Sequence, residues 1–187
     1  MELKLKNFIW VFLFLLCISF TGHSQLIEPK NPTIKTAGDV LAYAIPATTF
    51  VSTLILKDKE GTWQMTKGFL LNEAVTLGLK FALNKPRPFH GGDKAFPSGH
   101  TSATFQSAAF IHGRYGFKYS IPAYALAGFT AFSRINAQKH DGYDILAGAV
   151  VGIGSSLIFT TPYEQEHMDL TFNSYDGQYL LGFTYRF

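Results

Sequence analysis

Lys80-Phe-Ala-Leu-Asn-Lys-Pro-Arg87-Pro88, then Pro97-Ser98-Gly99-His100-Thr101, then Ser133-Arg134-Ile-Asn-Ala-Gln-Lys-His140-Asp-Gly-Tyr-Asp144 are the stretches on which the reading of this chain turns. Within residues 80–144 they bring together the fixed cations Lys80, Arg87 and Arg134, the imidazoles of His100 and His140, the Asp144 carboxylate and a turn containing Gly99. Apolar, Ala- and Gly-rich segments surround them. The pattern predicts helices over 39–56, 67–83, 98–113, 118–133 and 144–159. A polar connection is expected at 57–66. Pro86, Pro88, Gly91, Gly92 and Pro97 mark a loop over 84–97. The expected fold is all-α, a helical bundle over residues 38–160, with the three stretches at helix ends.

Each stretch has a chemistry. Ser98 opens a helix, whose first N–H groups lack intrahelical partners and, with the helix dipole, form an anion site. Gly99 allows close approach of the backbone to a ligand, and His100 stands beside that site as a proton donor. His140 and Asp144 are four apart, a spacing that lets the carboxylate hold one imidazole nitrogen. The other nitrogen is then an oriented nucleophile. Arg134 offers a planar donor fork for phosphate oxygens, and Lys80 and Arg87 can meet the remaining ones. Taken singly, each fragment also fits a blander account: a capped helix with a surface His, a helix-capping Asp144, a solvated basic helix end. The conjunction favours a phosphate site.

The set Lys80-x6-Arg87-Pro88, Pro97-Ser98-Gly99-His100 and Ser133-Arg134-x5-His140-x3-Asp144 resembles the type 2 phosphatidic acid phosphatase (PAP2) superfamily. Bacterial non-specific acid phosphatases and vanadium haloperoxidases belong to the same superfamily. The resemblance implies a helical bundle with the site at one end. It implies His140 as nucleophile, Asp144 as its orienting partner and His100 as the acid for the leaving alkoxide. Lys80, Arg87 and Arg134, helped by Ser98 and the Gly99 amide, would bind the phosphate. The implied reaction is phosphate mono- or diphosphate ester hydrolysis through a phosphohistidine, with no metal and no cofactor. Apolar flanking helices favour a lipid phosphate. A soluble periplasmic acid phosphatase on small phosphate esters, a vanadate-dependent haloperoxidase and a non-catalytic envelope protein are the alternatives. Eight residues, Phe89 to Phe96, separate the first two stretches, which leaves little material for a lid.

The remainder of the chain sets the compartment. Its 187 residues fit one domain, and 47% hydrophobic against 16% charged residues argues against disorder. A net charge of +3 without a dense basic run argues against nucleic acid. Lys4 and Lys6 precede an uncharged run, Phe8 to Phe20, and then Gly22 and Ser24. Residues 1–24 therefore read as a signal peptide, or alternatively an N-terminal anchor, and 25–37 as a polar leader. Cys17, the single cysteine, lies inside the apolar run, so cleavage would leave no disulfide or cysteine chemistry. The expected setting is a bacterial-type envelope, membrane-associated, with the site facing the periplasm. Alternating spans would gather the motifs on one side and Lys57, Lys59, Lys67, Arg114 and Lys118 on the other. In the 161–187 tail, Asp176-Gly177 between β-formers predicts a short hairpin.

Overall fold

The computed structural model describes residues 31–88 and 92–163 with their side chains, together with the backbone of 168–175 and 178–185. Residues 1–24, expected to be a signal peptide or an N-terminal anchor, lie outside the described residues. The body is all-α. Its five helices are α1 (Pro32–Ile55), α2 (Lys59–Leu83), α3 (Gly99–Tyr115), α4 (Phe117–Asn136) and α5 (Gly142–Leu157). In the tail, β1 (Met168–Tyr175) pairs antiparallel with β2 (Gln178–Tyr185), and the Asp176-Gly177 turn between them lies outside the described residues.

Two helix starts differ from the sequence expectation by more than three residues, and capping explains both. Helix α1 begins at Pro32, so the last six residues of the supposed leader are helical. Asn31 accepts from the amides of Thr33 and Ile34 at 3.0 and 3.2 Å, and Pro32 sits at the first helical position. Helix α2 begins at Lys59 rather than Lys67. Asp58 caps it by accepting from the Gly61 amide at 2.8 Å. The same carboxylate takes two bonds from Arg114, at 2.8 and 2.6 Å, and one from Tyr115 Oη at 2.8 Å. This cluster ties the α1–α2 turn to the α3–α4 turn and defines one end of the bundle.

Helix α3 is central and packs on α5, α4, α1 and α2. The α3–α5 contact is backbone on backbone. A Cβ at Gly152 would lie 2.2 Å from the Ser102 carbonyl oxygen, and one at Gly148 would lie 2.6 Å from that of Ser98. Only glycine permits that approach. The interior is rich in small polar groups: Thr66, Thr76, Ser102, Thr104 and Ser107 are all buried. Their hydroxyls donate largely to carbonyls one turn back, as Ser107 does to Ala103 O at 3.0 Å. A compact apolar cluster of Phe50, Met65, Phe69, Ala103 and Phe110 fills the middle. Outside, large apolar side chains face outward along α1, α2, α4 and α5, among them Ile55, Phe81, Ile121, Phe132, Leu146 and Val150. Helix α1 is long and apolar enough to cross a bilayer.

Candidate active site

The three motif stretches meet at the end of the bundle opposite Asp58 and Arg114. Lys80 comes from the last turn of α2, Arg87 from the loop after it, Ser98, Gly99 and His100 from the start of α3, and Arg134 from the end of α4. His140 lies in the α4–α5 connection and Asp144 in the first turn of α5. Ser98 is the N-cap of α3, and its amide donates to Asp144 O at 2.9 Å. Gly99 faces the Lys80 stem: a Cβ there would lie 3.8 Å from Lys80 Cε. Lys80 Nζ donates to Lys94 O at 2.9 Å.

Asp144 belongs to a capping box. Its amide donates to Asp141 Oδ1 at 3.0 Å, and the Asp141 amide donates to Asp144 Oδ2 at 3.1 Å. The carboxylate is fully buried, and Oδ2 faces His140 Nδ1 at 3.6 Å. That distance exceeds a hydrogen bond, and Nδ1 has no other partner among the described residues. The backbone box therefore holds the carboxylate in place, a short movement from a hydrogen bond with the imidazole. Burial, then the positive charges of Lys80 and Arg87, push the His140 pKa down to about 4 against the opposing pull of Asp144. The imidazole is neutral at physiological pH. With Nδ1 turned to the carboxylate, Nε2 carries the lone pair.

A second acidic centre was not legible in the sequence. Asp39, in α1, accepts from Arg134 Nη1 on Oδ1, from Lys35 Nζ on Oδ2 at 2.8 Å, and sits 3.0 Å from His100 Nε2. Arg134 also donates to Lys35 O at 2.8 Å and to Ser133 Oγ at 3.1 Å, which occupies three of its five N–H groups. Lys85 was also missed. Its ammonium donates to Asp144 Oδ1 at 2.8 Å and to Asp141 Oδ2. Partial burial opposes the charge on Lys85, but these two carboxylates outweigh it and raise its pKa above the ordinary lysine value. All eight residues expected from the sequence thus lie at one end, in two linked groups: Lys80, Arg87, Ser98, Gly99, His140 and Asp144, and Arg134 with His100 around Asp39. Arg87 joins the groups electrostatically. Burial lowers its pKa, as does Arg134, against the pull of Asp144.

The profile of the PAP2 superfamily matches residues 61–167, more than half of the chain. The chain belongs to the PAP2 superfamily. It is similar to the lipid A 4'-phosphatase of Helicobacter pylori, 29% identical over 98% of both chains. A lipid A 1-phosphatase of the same organism is 30% identical over 79% of this chain and 73% of the relative. The crystal structure of Aquifex aeolicus LpxE has the same fold, with a TM-score of 0.60 at 20% identity over 79% of this chain and 93% of that one. The chain is accordingly a PAP2-type phosphatase, a hydrolase, and its all-α bundle is the fold of that group.

Proposed function

We propose that this PAP2 phosphatase hydrolyses phosphorylated lipids at a membrane surface, through a phosphohistidine on His140. The observation that carries the reading is a neutral imidazole, buried beside a carboxylate and facing fixed cations at one end of an apolar-coated bundle. The lone pair of His140 Nε2 bonds to phosphorus as the ester P–O bond breaks, and the His100 proton passes to the departing oxygen. His100, now neutral, then takes a proton from water. The water oxygen bonds to phosphorus and the P–N bond breaks, which frees inorganic phosphate and restores His140. Lys80, Arg87, Arg134 and the α3 N-terminus with Ser98 and Gly99 meet the phosphoryl oxygens as charge develops. No metal has a part in these steps.

The burial pattern supports a lipid setting. Hydroxyls and glycines pack the interior while large apolar side chains face outward, the arrangement that suits a bundle surrounded by lipid. Helices α1 and α2 have 24 and 25 residues, or about 36 Å each, against a hydrocarbon core of about 30 Å. Lys57, Lys59, Arg114 and Lys118 lie at the end away from the site, which supports a periplasm-facing active site. Similarity along the whole chain to a lipid A 4'-phosphatase supports a phosphorylated saccharolipid of the lipid A class as substrate. The tail fits best as a β-hairpin appended to the bundle, apart from the chemistry.

The test is phosphate release by purified protein in detergent with EDTA, from lipid phosphates and from a soluble aryl phosphate. Release that survives EDTA and disappears in a folded His140→Ala protein is expected, with lipid esters preferred. Release that persists in His140→Ala would mean another nucleophile.

A further inference from the structure

We infer that Lys85 is a positioning residue for the reaction: it fixes the Asp144 carboxylate so that its other oxygen faces His140. The inference rests on the mechanism proposed above. Asp144 is fully buried, and each of its oxygens has a separate task. Oδ1 receives Lys85 Nζ at 2.8 Å, while Oδ2 receives the Asp141 amide and faces His140. The lysine also bonds Asp141, so one ammonium bridges both acids of the capping box. Its backbone is anchored in turn, because the Ala95 amide donates to Lys85 O at 2.8 Å. Pro86 stiffens the link to Arg87. One short segment therefore carries a phosphate cation and the clamp on the orienting carboxylate, so phosphate contact and nucleophile alignment share a support.

Without the clamp, Asp144 is held through Oδ2 alone, and a buried carboxylate loses the ammonium bonded to its other oxygen. The charged groups facing the His140–Asp144 pair are Lys80 from α2, Lys85 and Arg87 from the loop after it, and Asp141 beside it. Helix α3 contributes the uncharged Ser98 amide. Removing Lys85 subtracts one positive charge from this set, and the imidazolium form of His140 gains.

The experiment compares Lys85→Met and Lys85→Arg with the parent protein. It reads kcat and KM on a lipid phosphate in detergent, and the imidazole titration of His140 by NMR in the resting protein. Lys85→Met should lose about 10²-fold in kcat, the scale of a misaligned reacting group. KM should stay within about threefold, and His140 should titrate at higher pH. Lys85→Arg, which keeps the charge and can bridge two carboxylates, should retain most of the rate. A slow Lys85→Met protein whose His140 titration has not moved overturns the inference, since a merely structural lysine would behave that way. So does Lys85→Arg as slow as Lys85→Met, or Lys85→Met at the parent rate. Failure of the parent protein to release phosphate in a His140-dependent way refutes the proposed reaction instead.

Discussion

Gly38 sits one residue before Asp39, where α1 crosses α4, and the site depends on that crossing. A Cβ at position 38 would lie 1.8 Å from Ser133 Oγ, 2.5 Å from Ser133 Cβ and 2.8 Å from Arg134 Nη2. Rotating the serine hydroxyl relieves the first contact only. Ser133 Cβ is fixed to the backbone of α4, and ordinary carbon contacts begin near 3.4 Å. Gly38→Ala must therefore part the two helices by about 1 Å. Such overpacking costs about 1–3 kcal/mol. The same displacement lengthens the bridges from Asp39 to Arg134 and His100, and a misplacement of about 1 Å at a reacting centre costs about 10²-fold in rate. The assay is phosphate release from a lipid phosphate in detergent, with thermal unfolding measured in parallel. Gly128→Ala is the control, because nothing lies within 4 Å of its Cβ; it should keep the parent rate and stability. Adding Ser133→Gly to Gly38→Ala removes both serine contacts and should restore part of the activity. A Gly38→Ala protein with parental rate and melting temperature would refute the close crossing and the dependence of Asp39 on it.

Three further outcomes are expected. His140 should titrate near pH 4 in NMR of the resting protein, so its neutral form persists above about pH 5 and is lost below about pH 4; a titration near the ordinary 6.5 would contradict its burial among cations. Arg134→Lys should lower kcat/KM by at least about tenfold, because one ammonium cannot serve Asp39, Lys35 O, Ser133 Oγ and a phosphate together, and an unchanged rate in phosphate-release assays would remove Arg134 from the site. Asp58→Asn should cost about 3–5 kcal/mol in denaturation, because it leaves the buried Arg114 without its counter-charge. Measured below the melting temperature, its turnover should stay within about threefold of the parent, since the cluster lies at the far end of the bundle.

What could be read from the sequence depends on separation along the chain. His140 and Asp144 are four apart, so one turn of backbone brings them together and no tertiary knowledge is needed. Ser98 as a helix N-cap is similarly local. Asp39 is another matter. It lies 61 residues from His100 and 95 from Arg134, on a helix whose start was misplaced. An acidic residue near an expected helix start invites the reading of a dipole-stabilising cap, and nothing nearby points to a histidine in α3. Lys85 was hidden differently. It lies inside the first motif stretch, yet its partners are 56 and 59 residues away, and a lysine just before a proline reads as a solvated loop cation.

Helix lengths failed for a physical reason as well. Apolar periodicity marks a helix boundary only where apolar faces point inward. Here Thr62, Thr66, Asn72 and Thr76 line the buried side of α2, while Trp63, Val75, Leu77 and Phe81 face out. Polar residues near Lys59–Thr66 therefore looked like a connection when they are the packed face of a helix. Inverting the rule restores the pattern: small polar groups and glycines mark the contacts, and large apolar groups mark the surround. The inversion also explains why the site is built where it is. Because Gly148 and Gly152 let α5 lie against the backbone of α3, the Asp144 carbonyl reaches the Ser98 amide at 2.9 Å. That single bond joins the start of the helix carrying Ser98 and His100 to the turn carrying His140. Bulk added at Gly148 would push the two apart before it touched His100 or His140.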